Sequence, residues 1–203
     1  MSSPKRVSLG VLGSGRGSNF AAILASIASG RLAASISVVI SDREDAGILE
    51  LAREAKIPTV VLRKGRFRTW LEPEIEEELA QSLRQFRVDL VVLAGFLRVL
   101  KGPFLAAYPG RVLNIHPSLL PAFKGKEAWK QALAAGAVET GCTVHWVDLE
   151  VDSGPILGQK KVPILHGDTP ESLHARIQEA EHLLYSEVIQ RVIERKLWQG
   201  IPS

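Results

Sequence analysis

Val7-Ser8-Leu9-Gly10-Val11-Leu12-Gly13-Ser14-Gly15-Arg16-Gly17-Ser18-Asn19 is the stretch that decides how this chain folds. Val7–Leu12 reads as a strand, a glycine-dense turn follows it, and a helix is predicted from about Ser18 to Ser29. Glycines let the backbone approach a ligand closely, and the N–H groups of a first helical turn favour an anion. Ser18 is placed both to cap that helix and to bond a phosphate oxygen. The same residues would also make a plain strand-to-helix turn. A dinucleotide fingerprint wants glycine where Ser18 stands and an acid about 20 positions later. Asp42 lies near that distance, so a nicotinamide enzyme stays open on this motif alone.

The pattern repeats along the first half. Strands are predicted at Ile36–Ile40, Thr59–Leu62 and Leu90–Ala94, with helices at about Ala46–Ala55 and Glu72–Phe86 between them. Glu72-Pro73-Glu74 suits a helix start, where proline is tolerated and acids meet the positive end of the dipole. Leu90–Ala94 is continuously apolar, as expected of a strand buried on both faces. Alternating strands and helices argue for a parallel sheet with crossover helices. The second half changes style. A short strand (Val112–Asn114), a helix at about Ala128–Ala135, and strands at Cys142–Val147 and Ile156–Val162 precede a final helix from about Pro170 to Arg195. The last two strands, joined by the Asp152 loop, are expected to be an antiparallel pair. Pro4 and Pro202 bracket the region expected to be ordered, about residues 6–198, and no linker divides residues 1–203 into separate domains.

Asn114-Ile115-His116-Pro117-Ser118-Leu119-Leu120-Pro121 carries the chemistry. On an extended strand end, residues i and i+2 point to the same side. Asn114 and His116 therefore face one reacting atom together, the amide as donor and the imidazole as acid or base. Pro117 and Pro121 stiffen the loop that holds them. Asp152 begins Asp152-Ser153-Gly154-Pro155, a turn signature whose carboxylate, brought beside His116, would orient the ring and favour its protonated form. Taken singly, each motif also reads as a turn.

Composition narrows the classes. Of 203 residues, 46% are hydrophobic and 23% charged, ordinary for a globular chain. No apolar run reaches the ~18 residues of a membrane helix, and Met1–Arg6 leads straight into a strand rather than a signal-peptide core. The single cysteine, Cys142, excludes an internal disulfide and a cysteine-based zinc cluster, and a cytoplasmic setting is expected. Cys142 reads as a core thiol; His145, His166 and His174 read as structural, and no metal-ligand spacing is present. A net charge of +3 is mild. The basic stretch Arg63-Lys64-Gly65-Arg66-Phe67-Arg68 reads as a solvated loop or an attractor of anionic substrates, without a nucleic-acid-binding signature.

Four motifs in order, Gly13–Asn19, Leu93-Ala94-Gly95-Phe96-Leu97-Arg98, Asn114–Pro121 and Asp152–Pro155, resemble the phosphoribosylglycinamide formyltransferase family over about Val7 to Trp198. The resemblance implies one Rossmann-like α/β domain: a mostly parallel twisted sheet, helices on both faces, and an antiparallel pair near the C-terminus. It implies transfer of a formyl group from 10-formyltetrahydrofolate, as cosubstrate and without a metal, to the amino group of glycinamide ribonucleotide. Catalysis falls to Asn114, His116 and Asp152. The amine substrate's phosphate falls to Gly17, Ser18 and Asn19, with Pro117 and Glu181 as further contacts. The folate falls to Leu97, Arg98, Val99, Leu100, Asn114 and Asp148, Leu149, Glu150, Val151, Asp152, with Arg68 as the arginine of a shifted segment. Small-molecule partners only, no nucleic acid or membrane, and a monomer or homodimer complete the expectation. Two relatives of this chemistry carry extra domains. The formyltetrahydrofolate hydrolases add one at the N-terminus and the methionyl-tRNA formyltransferases one at the C-terminus. Six residues before the first strand, and Trp198–Ser203 at the end, are expected to leave room for neither.

Overall fold

Apolar runs too short to stand alone find one another in a single seven-stranded sheet. The computed structural model describes residues 6–198; Pro4 and Pro202 lie outside the described residues. In chain order the strands are β1 (Val7–Leu12), β2 (Ala34–Ser41), β3 (Thr59–Val61), β4 (Leu90–Leu93), β5 (Val112–His116), β6 (Glu139–Trp146) and β7 (Ile156–Pro163). They lie in the order β3-β2-β1-β4-β5-β6-β7. β1 through β5 pair in parallel, whereas β5–β6 and β6–β7 pair antiparallel. The expected parallel sheet and antiparallel pair are both present. β5 runs further than Val112–Asn114, so Asn114 and His116 are strand residues, and β6 begins before Cys142.

The helices are α1 (Ser18–Ala28), α2 (Gly47–Glu54), α3 (Pro73–Gln85), α4 (Gly102–Ala107), α5 (Ala128–Ala134) and α6 (Pro170–Arg195). Strand alternation splits the core in two. Leu9, Val11, Leu90, Val92, Leu113, Ile115, Cys142 and Val144 face a core shared with α1, α2 and α6. Leu12, Val91, Leu93 and Val112 face α3 and α4. α4 was not expected from sequence. It is six residues long, and its start is made by a distant side chain: the buried Glu76 carboxylate accepts from the Lys101 N–H at 2.6 Å and the Phe104 N–H at 3.1 Å. α6, 26 residues, was legible because its signals are local. Thr169 and Ser172 form a capping box and Pro170 takes the first helical position.

Strand order reverses between β1 and β4, and the carboxyl ends of parallel strands flank a crevice at such a point. The glycine loop after β1, the 95–100 segment after β4 and the end of β5 all sit along this edge. Tyr185 of α6 ties two of these strands together: its buried hydroxyl lies 3.0 Å from the carbonyls of both Leu93 and Leu113. Tyr185→Phe removes the donor and leaves carbonyls in an apolar setting, a loss of about 1–3 kcal/mol. Denaturant unfolding should show that loss with the far-UV spectrum unchanged; a variant as stable as the parent would mean that the hydroxyl is dispensable.

Candidate active site

On the face of β5 and β6 away from α6, alternation would ordinarily place apolar side chains. This chain places Asn114, His116, Thr143 and His145 there instead. Asn114 pairs across the strands with His145, and His116 with Thr143. Cross-strand partners share a face, and so do residues two apart on one strand, so all four side chains gather on one side. The loops at 117–127 and 147–155 reach them. Thr143, fully buried, fastens the first loop by accepting from the Leu120 N–H at 3.0 Å and donating to the Ser118 carbonyl at 2.7 Å. Prolines stand at 117 and 121 of this loop, and the Leu120–Pro121 peptide is cis.

Asp152 reaches the cluster from the second loop. Its backbone lies in the left-handed region at φ 52°, which aspartate and asparagine tolerate better than most residues. Gly154, two residues on, packs so closely on the Trp146 carbonyl that a Cβ would collide with it. One Asp152 carboxylate oxygen accepts from the Gly125 N–H at 2.9 Å and lies 3.4 Å from His116 Nδ1. The other lies 3.7 Å from His145 Nε2. His116 Nε2 meets the Phe123 carbonyl at 2.9 Å. Each ring nitrogen of His116 thus faces an oxygen that only accepts, an arrangement a ring carrying both protons satisfies. The structure brings the three expected residues together.

His145, read as structural from sequence, belongs to this cluster. Burial holds its imidazole below the ordinary range, outweighing the Trp146 carbonyl and the nearby carboxylates, which pull the other way. The ring is therefore neutral. Its Nδ1 lies 2.8 Å from the Trp146 carbonyl, so Nδ1 carries the proton and Nε2 is an acceptor. Asn114 Nδ2, 3.2 Å away, must then be the donor to it. That contact settles which way the Asn114 amide faces: one N–H goes to His145. Sequence could have suggested His145 only through the alternation Thr143, His145, and only once the pairing with β5 was known.

The glycine loop is built into the same edge. Gly17 precedes α1 at φ 86°, and a Cβ there would press on Ile48. Gly13 N–H donates to the Ile40 carbonyl and Ser14 N–H to the Gly95 carbonyl, each at 3.0 Å. Ser14 Oγ donates to Asp42 at 2.5 Å and accepts from the Leu97 N–H at 2.9 Å. Asp42, the acid that kept a dinucleotide reading open, is occupied by Ser14 and by Arg98, whose Nε lies 2.6 Å from it. The Arg98 guanidinium also donates to the Phe67 carbonyl, at 2.6 Å, and so secures the 63–72 loop. Ser18 and Asn19 open α1, where first-turn amides have no intrahelical acceptor. Asn19 Nδ2 donates to the Glu181 carboxylate at 2.9 Å, joining two of the expected substrate residues. Burial pushes Glu181 up to about 7, with the Asn19 amide pulling the other way.

The expected folate residues fall around the cluster unevenly. Leu97, Leu149 and Val151 are exposed apolar side chains, whereas Leu100 is buried in the core beside α4. Asp148 accepts from the Glu150 N–H at 3.0 Å and shapes the second loop. Arg68 is exposed on the 63–72 loop, and Val99 N–H donates to the Thr69 carbonyl at 2.8 Å, holding that loop to the 95–100 segment. Pro117 ends β5. Among the described residues no group of three or more His, Cys, Asp or Glu is arranged to hold a metal ion, and no helix is long and apolar enough to cross a membrane.

The formyl transferase family matches residues 7–189. Phosphoribosylglycinamide formyltransferase of Escherichia coli K12 is 40% identical over 187 residues, 92% of this chain and 87% of that protein. The trifunctional purine biosynthetic protein adenosine-3 of Bos taurus is 42% identical over 93% of this chain, which spans only 18% of that protein's length. The crystal structure of glycinamide ribonucleotide transformylase 1 from Symbiobacterium toebii superimposes with a TM-score of 0.90 at 46% identity, covering 95% of this chain and 90% of that one. The chain belongs to the formyl transferase family and, within it, to the phosphoribosylglycinamide formyltransferases.

Proposed function

We propose that this chain transfers the formyl group of 10-formyltetrahydrofolate to the amino group of glycinamide ribonucleotide, a step of purine biosynthesis that yields formylglycinamide ribonucleotide and tetrahydrofolate. The convergence of Asn114, His116 and Asp152, with the amide direction of Asn114 set by His145, carries this reading. The substrate amine is the nucleophile, so no side chain has to form a covalent intermediate. It attacks the formyl carbon and an oxyanion develops there. The second Nδ2–H of Asn114 is a pre-aimed donor for that charge, a kind of contact worth roughly 10²–10³ in rate. His116, carrying both protons at the start, delivers one toward the departing folate nitrogen and regains a proton from the amine that has attacked, worth roughly 10²–10⁴. Asp152 holds the ring and counters its charge.

Both substrates find suitable surroundings. Leu97, Leu149 and Val151 offer exposed apolar surface to a flat heterocycle, with the backbone of Arg98 to Leu100 and Asp148 to Asp152 supplying polar edges. Arg68 is assigned to the folate's carboxylates. The first-turn amides at Gly17, Ser18 and Asn19 take the phosphate. Glu181 and Pro117 contact the rest of the amine substrate. In this reading the partners are small molecules only, and the protein works in the cytoplasm as a monomer or homodimer.

The deciding assay follows folate release from 10-formyltetrahydrofolate with and without glycinamide ribonucleotide. Release that requires the amine is expected; equal release without it would make the protein a hydrolase. Asp152→Asn keeps a residue tolerant of the left-handed turn while removing the charge. Its kcat should fall by about 10²-fold or more while both KM values move less, because the charge acts once the oxyanion forms. A wild-type kcat in that variant would reduce Asp152 to a turn residue.

Glu181 gives a pH prediction of defined sign. Its folded value of about 7 lies above the usual 4.5, so its contribution to stability is fully present below about pH 4.5 and is lost as pH rises through 7. Glu181→Gln retains an acceptor for Asn19 and removes the buried charge. Its Tm should exceed that of the parent at about pH 8 and match it at about pH 4, while KM for the amine substrate rises. A Tm difference of the same size at both pH values would show that the buried charge is not the cause.

A further inference from the structure

One aromatic pair near the glycine loop has no part in the chemistry above. Trp129, in the first turn of α5, and His174, near the start of α6, stack with ring centroids 3.8 Å apart and planes 4° from parallel. Trp129 packs against the core that α6 shares, so the indole is a fixed plate with the imidazole lying on it. His174 precedes Glu181 by two helical turns, which puts both on one stripe of α6, about 10 Å apart along the axis. Glu181 is tied to Asn19 at the start of α1, so this stripe runs beside the glycine loop. From that loop Arg16 acts on His174. Burial first, and the positive Arg16 second, hold the imidazole below its ordinary range.

The other charged groups nearby are already engaged. On α5, Lys130 pairs with Glu127. On α6, Glu171 acts with Thr169 at the helix start, Arg176 pairs with Asp168, and Glu181 accepts from Asn19. Arg16, exposed beside Gly17, and His174, half-buried on α6, are left as two basic side chains on the loop and the helix that flank an anion-seeking helix start.

We propose that His174, laid on Trp129, is a further ligand of the ribonucleotide phosphate, joining Arg16 as an imidazolium when the dianion binds, so that binding takes up a proton. This rests on reading the glycine loop as the phosphate site. A phosphomonoester brings about −1.5 to −2 charges, which reverses the repulsion Arg16 exerts on a charged ring. An indole face also stabilises a cation laid on it. By linkage, protonating His174 tightens phosphate binding by the same factor that phosphate favours the proton.

The test titrates the protein with ribose 5-phosphate, following the Gly17 and Ser18 amides and the His174 ring by NMR. Calorimetry gives Kd for the parent, His174→Gln and Ser18→Ala at about pH 6 and about pH 8. The His174 midpoint should move to higher pH when ligand is bound. His174→Gln should raise Kd several-fold near pH 6 and barely near pH 8, whereas Ser18→Ala should raise it at both. If the Gly17 and Ser18 amides respond but the His174 midpoint stays, and His174→Gln weakens binding equally at both pH values, the stack is structural and the proposal fails while the phosphate site stands. If those amides do not respond at all, the phosphate reading fails and the proposal goes with it.

Discussion

The antiparallel register of β5 on β6 is the constraint on which the rest of this molecule depends. It sets Asn114 across from His145 and His116 across from Thr143. A slip of one residue would send every one of these side chains to the opposite face, into the core against α6. The apolar partners enforce the register. Leu113, Ile115, Cys142, Val144 and Trp146 have their place in that core only when the polar set faces the loops. Hydrophobic burial on one side of two strands therefore aligns the chemistry on the other.

The polar face is stable because its members complete one another. His145 is neutral, donates to the Trp146 carbonyl and accepts from Asn114. Asp152 has the Gly125 N–H and the His116 ring around its carboxylate. Buried polar groups left without such partners cost about 1–3 kcal/mol each, so a network this close to the core persists only when it is nearly saturated. Glu181 shows the contrasting case. With one amide donor and little solvent, its carboxyl is pushed up to about 7. The two acids are suited to different work by what surrounds them.

Loops carry the two substrate regions, and each is fastened to the sheet by an interaction outside the reaction. Asp42 gathers Ser14 and Arg98, and Arg98 in turn holds Phe67, so the glycine loop, the 95–100 segment and the 63–72 loop are connected through one carboxylate. Thr143 does the same for the loop at 117–127. Rigid attachment of this kind is what lets loop residues hold a reacting geometry.

Much of this was legible in the sequence because the signals were local. Alternation and continuous apolar runs placed all seven strands to within a few residues, Pro73 and Thr169–Ser172 marked helix starts, and the spacing of Asn114 and His116 put both on one face. The order of four motifs brought Asp152 into the site across 36 residues of chain. What sequence could not supply depended on contacts between distant segments. α4 exists because Glu76, on another helix, accepts its first amides. His145 became part of the site through its cross-strand neighbour, and the Asn114 amide took its direction from that same ring. Arg98 went to Asp42, and Trp129 met His174, through packing that no periodicity announces. A linear pattern fixes which face a side chain occupies; which partner waits on that face is decided only when the chain has closed on itself.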